Sequence, residues 1–419
     1  MTPRITRPPL SAPYPPRAAK RPEGKVATGL DRLLEDPRRL VGRRYGLLAH
    51  GASVTAACQP IHLALADSPA GAPAALFGPE HGYYGIEQDM IPAEGGVDSW
   101  TKAPLHSLYG DSEATLRPSP GAFAGLDVLV IDLQDVGARY YTYAATAVWA
   151  AEAALEAGCE VWLLDRPNPL GGDEVEGNLP LRGFDSFVGA FRLPVRHGLT
   201  LGELFRLEAR RRNWPAGWEV WAMEGWRRSM HFEDTGLPWI APSPNMPTVT
   251  TAFVYPGACL VEATDLSEGR GTTRPFLLFG EPGFHPPKVA EHLARVKLPG
   301  VAFVPTYFRP QFQKHKGKVC GGVEIVVTDR AALRPYRLGV ELLSTARMGW
   351  EEAFPWRLDP YEFVDDRPAI DLLTGSAVLR EALEGWDGRL IEDWVDSWRA
   401  DEAEFRRERA DILLYPETV

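Results

Sequence analysis

The chain has 419 residues, an apolar content of 45% and an aromatic content of 10%, enough for two well-filled domains and too much for a disordered chain. Its 45 basic residues against 56 acidic ones give a net charge of −11, which excludes a general binder of nucleic acid or anionic membranes. The four cysteines, Cys58, Cys159, Cys259 and Cys320, are far apart and show no CxxC spacing, so they are read as reduced thiols rather than zinc ligands or a disulfide framework.

The first 25 residues are basic and proline-rich and lack the apolar stretch of roughly 7–15 residues that an export signal requires, so a flexible arm and a cytoplasmic location are expected. No apolar run reaches the length of about 18 residues needed to span a membrane. Short runs rich in Val, Leu and Ile follow at 45–50, 74–78, 127–135, 160–165 and 218–224, each predicted to be a buried strand. Between the third and fourth, "YTYAATAVWAAEAALEAG" has helical composition and a stop at Gly158. Thr200 followed by Glu203 opens another helix with a capping-box pattern. Strands alternating with helices predict a mostly parallel sheet with right-handed crossovers. The proline-rich "PWIAPSPNMPT", 238–248, suits neither a regular helix nor a central strand and is read as a joint. Beyond it, "VAFVPTYFRP" and "GGVEIVVTD" read as strands, with helices near 335–348, 376–385 and 390–412. The division is therefore an arm at 1–25, an α/β domain at 26–245 and a smaller mixed α+β domain at 246–419.

In a parallel sheet, ligands gather at the carboxyl ends of the strands. The second strand ends in "FGPEHGYYG", where Glu80 and His81 stand among Gly78, Pro79 and Gly82, residues that turn the chain. The third ends with Asp132, Gln134 and Asp135, and the fourth with Asp165, Arg166 and Asn168. Asp132 or Asp165 could equally cap a helix or pair with a structural arginine. "DVGARYYTY" sets Arg139 beside Tyr140, Tyr141 and Tyr143, an aromatic and guanidinium combination suited to gripping a sugar, against the plainer alternative of packing between sheet and helix. "VEATDLSEGRGTTRPF" supplies Glu262, Asp265, Glu268, Arg270, Thr272, Thr273 and Arg274 around two glycines, charges that are costly to bury unless used or paired. Nucleotide loops, HExxH and GxSxG are absent, and the acids near His81 (Glu80, Glu87, Asp89) meet no metal-ligand spacing. No cofactor and no metal are expected.

Taken together, "FGPEHG", "DLQDVGARYYTY", "LDRPNPLGG…VEGN", "SPNMPT" and "EATDLSEGRGTTRPF" resemble the NamZ family of exo-acting β-N-acetylmuramidases, from about residue 28 to the C-terminus. The resemblance implies a Rossmann-like domain without a nucleotide, a smaller second domain and an active-site cleft between them. It also implies removal of N-acetylmuramic acid from the non-reducing ends of peptidoglycan fragments. Two features depart from the family pattern: the acidic segment after Gly85, and Asp265 where asparagine is usual.

Glycosidic cleavage requires an acid for the departing oxygen and a group to stabilise or attack the anomeric carbon. Glu80 is assigned the first role and His81 is expected to orient it or touch substrate. Glu262, Glu268, Asp135, a tyrosine such as Tyr141, and the substrate's own acetamido group all remain open for the second, and with them retention or inversion. Arg270, between two glycines, is the expected reader of the muramyl carboxylate, with Arg274 and Arg139 behind it; the alternative is that Arg270 pairs with Glu268 or Asp265. A non-catalytic sugar-binding protein and a metal-dependent hydrolase are the rival classes.

Overall fold

A computed structural model describes residues 24–88, 90–348 and 354–415. The predicted arm lies outside the described residues up to residue 23, as does Asp89. Seven strands form the first sheet: β1 (Tyr45–Ala49), β2 (Ala75–Gly78), β3 (Gly96–Val97), β4 (Pro104–Ser107), β5 (Val128–Asp132), β6 (Glu160–Leu164) and β7 (Trp218–Trp221). Their order is β3-β4-β2-β1-β5-β6-β7, parallel throughout except for β3. Without β3, the six parallel strands follow the order third, second, first, fourth, fifth, sixth, which is that of two mononucleotide-binding halves joined at β1 and β5. All five predicted strands are present; β3 and β4 were missed because they are short, with β3 exposed and β4 partly exposed, and so carry no apolar run.

The alternation of side chains along β5 explains the layers. Val128 and Val130 face one cluster with helices α1 (Gly29–Glu35) and α2 (Ile61–Ala66), while Leu129 and Ile131 face the other with α3 (Tyr143–Glu156) and α4 (Leu201–Arg211). Helix α3 stops before Gly158, whose φ of +79° ends it, and the Thr200–Glu203 capping box opens α4.

Residues 238–248 contain no helix or strand. Next come helix α5 (Val249–Ala258), strand β8 (Leu278–Glu281), helix α6 (Pro286–Val296), strands β9 (Val301–Phe308) and β10 (Cys320–Val327), and helices α7 (Pro335–Arg347), α8 (Ala369–Thr374), α9 (Val378–Glu384) and α10 (Gly388–Arg409). The three strands make an antiparallel sheet in the order β8-β10-β9. Helix α5 was invisible in the sequence because its β-branched residues and Pro256 oppose helix formation; packing overrides them. Its Gly257 lies so close to α7 that a Cβ would fall 1.9 Å from the Pro335 carbonyl, so only glycine allows the two helices to pack this closely.

The apolar core runs without a break from α3 and α4 into Phe253, Leu260, Tyr336 and Trp398, so the two sheets share one buried wall. The chain end returns to the first sheet: Tyr415 donates to Asp165 at 2.7 Å and Arg409 to the Gly172 and Gly198 carbonyls.

Candidate active site

Where β2 ends, the chain reverses. Gly78 allows this, since a Cβ there would sit 2.3 Å from the Tyr83 amide, and His81 takes a left-handed φ of +69°. The reversal buries Glu80 at the carboxyl end of the sheet, as the sequence predicted. Thr142 donates to its Oε2 at 2.7 Å, and the Met90 amide reaches Oε1 at 3.4 Å. The His81 Nδ1 donates to the Glu87 carbonyl at 3.0 Å, which leaves Nε2 as the accepting nitrogen.

The facing wall comes from the second half of the chain. A short 3-10 turn, Cys259–Ala263, carries Glu262, whose carboxylate receives Arg270 Nη2 at 2.6 Å and the Tyr361 hydroxyl at 2.9 Å. Arg270 also meets Glu268 at 3.3 Å, and Lys314 donates to Glu268 at 2.9 Å. The Arg270 guanidinium lies 5.2 Å from the Phe276 ring centre. Between the walls stands Tyr141, packed edge-on against Tyr255, with its hydroxyl buried beside Ser243 and Tyr143. Glu362 completes the lining from a tight turn in which it and Phe363 hold φ of +48° and +66°. Such backbone persists only where surrounding contacts impose it, and Tyr109 donates to Glu362 at 3.1 Å. The cavity between these walls has a volume of about 40 Å³.

Glu80, His81, Tyr140, Tyr141, Glu262 and Arg270 thus line one pocket. Glu268 and Asp265 lie just beyond it, in a neighbouring chamber that shares Glu262 and Arg270 with the first. Tyr143 stands behind Tyr141, its ring 4.7 Å away and its hydroxyl on the Pro242 carbonyl.

Other expected residues are occupied elsewhere. Asp165 accepts from Thr200, Gly202 and Tyr415, so it caps α4 and anchors the chain end, and burial pushes its carboxyl up to about 6. Arg166 pairs with buried Asp132, and Asn168 ties Leu199 to Leu170. For these strand-end residues the plain structural alternative is the one observed. Arg139 spends its guanidinium on the carbonyls of Asn178, Leu193 and Leu373, each at 2.8 Å. Asp135 accepts from the Gly137 amide at 2.7 Å, and burial pushes its carboxyl up to about 7. Arg274 points away to Glu324, Thr272 braces the loop through the Gly269 carbonyl, and Thr273 is exposed.

Sequence reasoning missed Thr142, Ser243 and Asn245 as lining residues although each lies inside a quoted motif. Tyr255, Tyr361 and Glu362 lay in stretches without any motif signal. Among the described residues, no helix is long and apolar enough to cross a membrane.

A Rossmann-like sheet, a smaller antiparallel domain and a pocket walled by carboxylates and tyrosines from both define a two-domain α/β protein with the equipment for glycoside cleavage. The chain belongs to the NamZ family of exo-β-N-acetylmuramidases, whose N-terminal model matches residues 45–250 and whose C-terminal model matches residues 253–415. It is 39% identical over 400 residues, 95% of this chain and 93% of the relative, to the peptidoglycan β-N-acetylmuramidase NamZ of Bacillus subtilis strain 168. Two crystal structures of DUF1343 family proteins from Bacteroides fragilis NCTC 9343 share the fold. One has a TM-score of 0.82 at 32% identity, covering 94% of this chain and 100% of the other. The second has a TM-score of 0.69 at 26% identity, covering 94% and 99%.

Proposed function

We propose that this chain is an exo-acting glycoside hydrolase that releases N-acetylmuramic acid from the non-reducing end of peptidoglycan fragments, with Glu80 as the general acid. The observation that carries the assignment of roles is the contrast between two carboxylates of one pocket. Glu262 is held by Arg270 and Tyr361, which favour its charged form. Glu80 is buried beside a hydroxyl and an amide, and among the described residues no cation pairs with it. Paired carboxyl groups in unlike surroundings divide acid and charge-stabilising work between them. Glu80 protonates the departing oxygen, and Glu262 supplies negative charge as positive charge develops at the anomeric carbon. Tyr141 orients the acetamido group, and His81 Nε2 accepts from a sugar hydroxyl.

Four free cysteines support action in a reducing compartment, hence recycling of fragments inside the cell. The absence of helix or strand at 238–248 supports a domain division at 245/246. Incubation with a muramyl-terminated disaccharide and with longer glycan chains tests the activity: free N-acetylmuramic acid should appear, with no internal fragments. Binding without release would leave a sugar-binding protein instead.

A further inference from the structure

We propose that Arg357 reads the carboxylate of the muramyl lactyl ether, an inference that rests on the function proposed above. A muramidase separates its sugar from N-acetylglucosamine by that one anionic substituent, and a guanidinium matches a carboxylate with two parallel hydrogen bonds. The expected reader, Arg270, lies between Glu262 and Glu268. Lys314 is engaged by Glu268 and by the carbonyls of Val261 and Leu266. Arg357 lines the same chamber, about 300 Å³ in volume and sharing Glu262 and Arg270 with the first pocket, and makes no ion pair among the described residues.

Its position ties it to both carboxylates of the site. The Arg357 amide donates to the Ala263 carbonyl at 2.8 Å, locking its backbone beside the Glu262 turn. Its guanidinium lies 5.5 Å from the ring centre of Tyr361, the residue that donates to Glu262. Arg357 Nη2 is 3.7 Å from the Met90 sulfur, and the Met90 amide reaches Glu80. A half-buried cation thus touches one neighbour of each carboxylate, Met90 beside Glu80 and Tyr361 beside Glu262. Asp265 and Asp359, which also line the chamber, are exposed to solvent and do not pair with it. A sugar seated in the pocket with its lactyl arm toward this chamber would satisfy the guanidinium.

The test uses an aryl β-N-acetylmuramide and the same glycoside with its lactyl carboxyl converted to the carboxamide. Arg357→Ala should lower kcat/KM on the acid by about 10- to 100-fold and on the amide by less than about 3-fold. Arg357→Lys, which keeps the charge and most of the apolar stem, should fold normally and recover part of the loss on the acid only. Equal losses on both glycosides, in either variant, would overturn the inference and make Arg357 a prop for Tyr361. A wild-type enzyme that cleaves acid and amide equally well would also overturn it while leaving the muramidase reading intact; one that cleaves neither would remove both.

Discussion

Thr142 donates a 2.7 Å hydrogen bond to Glu80 across 62 residues of sequence, joining the turn after β2 to the first residue before α3. Thr142 occupies a position where its hydroxyl would ordinarily cap the helix, and it makes no such cap. The hydroxyl is used on the carboxyl instead, a local rule broken at the candidate site. We expect Thr142→Val to lower kcat about 10-fold or more with little change in KM, because a hydrogen bond to a charged or proton-transferring group contributes about 1.5–3 kcal/mol. Thr142→Ser should restore most of the rate. Steady-state kinetics on the three proteins separates this positioning role from a packing role, which would move stability and not the kcat-to-KM split.

Removal of Arg270 has a different expected signature from removal of Arg357. Its loss removes the buried guanidinium that holds Glu262 and Glu268 together, leaving the Tyr361 hydroxyl on Glu262 and Lys314 on Glu268 among the described contacts. Breaking one partner from a buried ion cluster typically costs about 3–5 kcal/mol, so Arg270→Ala should be markedly destabilised in urea and lose activity alike on charged and uncharged glycosides. A stable variant with a loss confined to the carboxylate substrate would return the reading role to Arg270.

Asp135 gives the protein a pH-dependent stability. Burial pushes its carboxyl up to about 7, whereas an unfolded aspartate titrates near 3.9. Between roughly pH 4 and 7 the folded state therefore keeps a proton that the unfolded chain has released, and stability falls as pH rises through that window. Asp135→Asn keeps the acceptor for Gly137 and removes the titration. Its pH–stability curve should be flatter by up to one proton, about 1.4 kcal/mol per pH unit, with the variant gaining on the parent toward pH 7. Thermal or urea midpoints at pH 5, 6 and 7 measure this; parallel curves would contradict it.

Much of the fold was legible because buried parallel strands are continuous apolar runs bounded by turn residues, as in 127–135 and 160–165. The Glu80 turn was legible for the same reason: glycine and proline punctuate a strand end. What the sequence could not supply was the partner of each polar residue. Asp165 and Arg139 have the composition of ligand-binding residues, but Asp165 meets Tyr415 and Arg139 meets the Leu373 carbonyl, contacts spanning more than half the chain. Likewise Tyr361 and Glu362 enter the pocket from a turn whose left-handed backbone carries no glycine to announce it. Long-range pairing, not local pattern, decided which charges were free to act.

The central claim is that Glu80 delivers the proton to the leaving group. Glu80→Gln preserves shape and the bond from Thr142 but has no transferable acid proton. On a muramyl disaccharide, whose sugar leaving group needs protonation, turnover should fall by about 10²- to 10⁴-fold. On an aryl muramide with an activated phenol, which leaves without help, the loss should be far smaller. Comparing the two substrates in the one variant is the most direct measurement: a strong leaving-group dependence is the predicted result, and near-native release from the disaccharide, or equal losses on both, would contradict it.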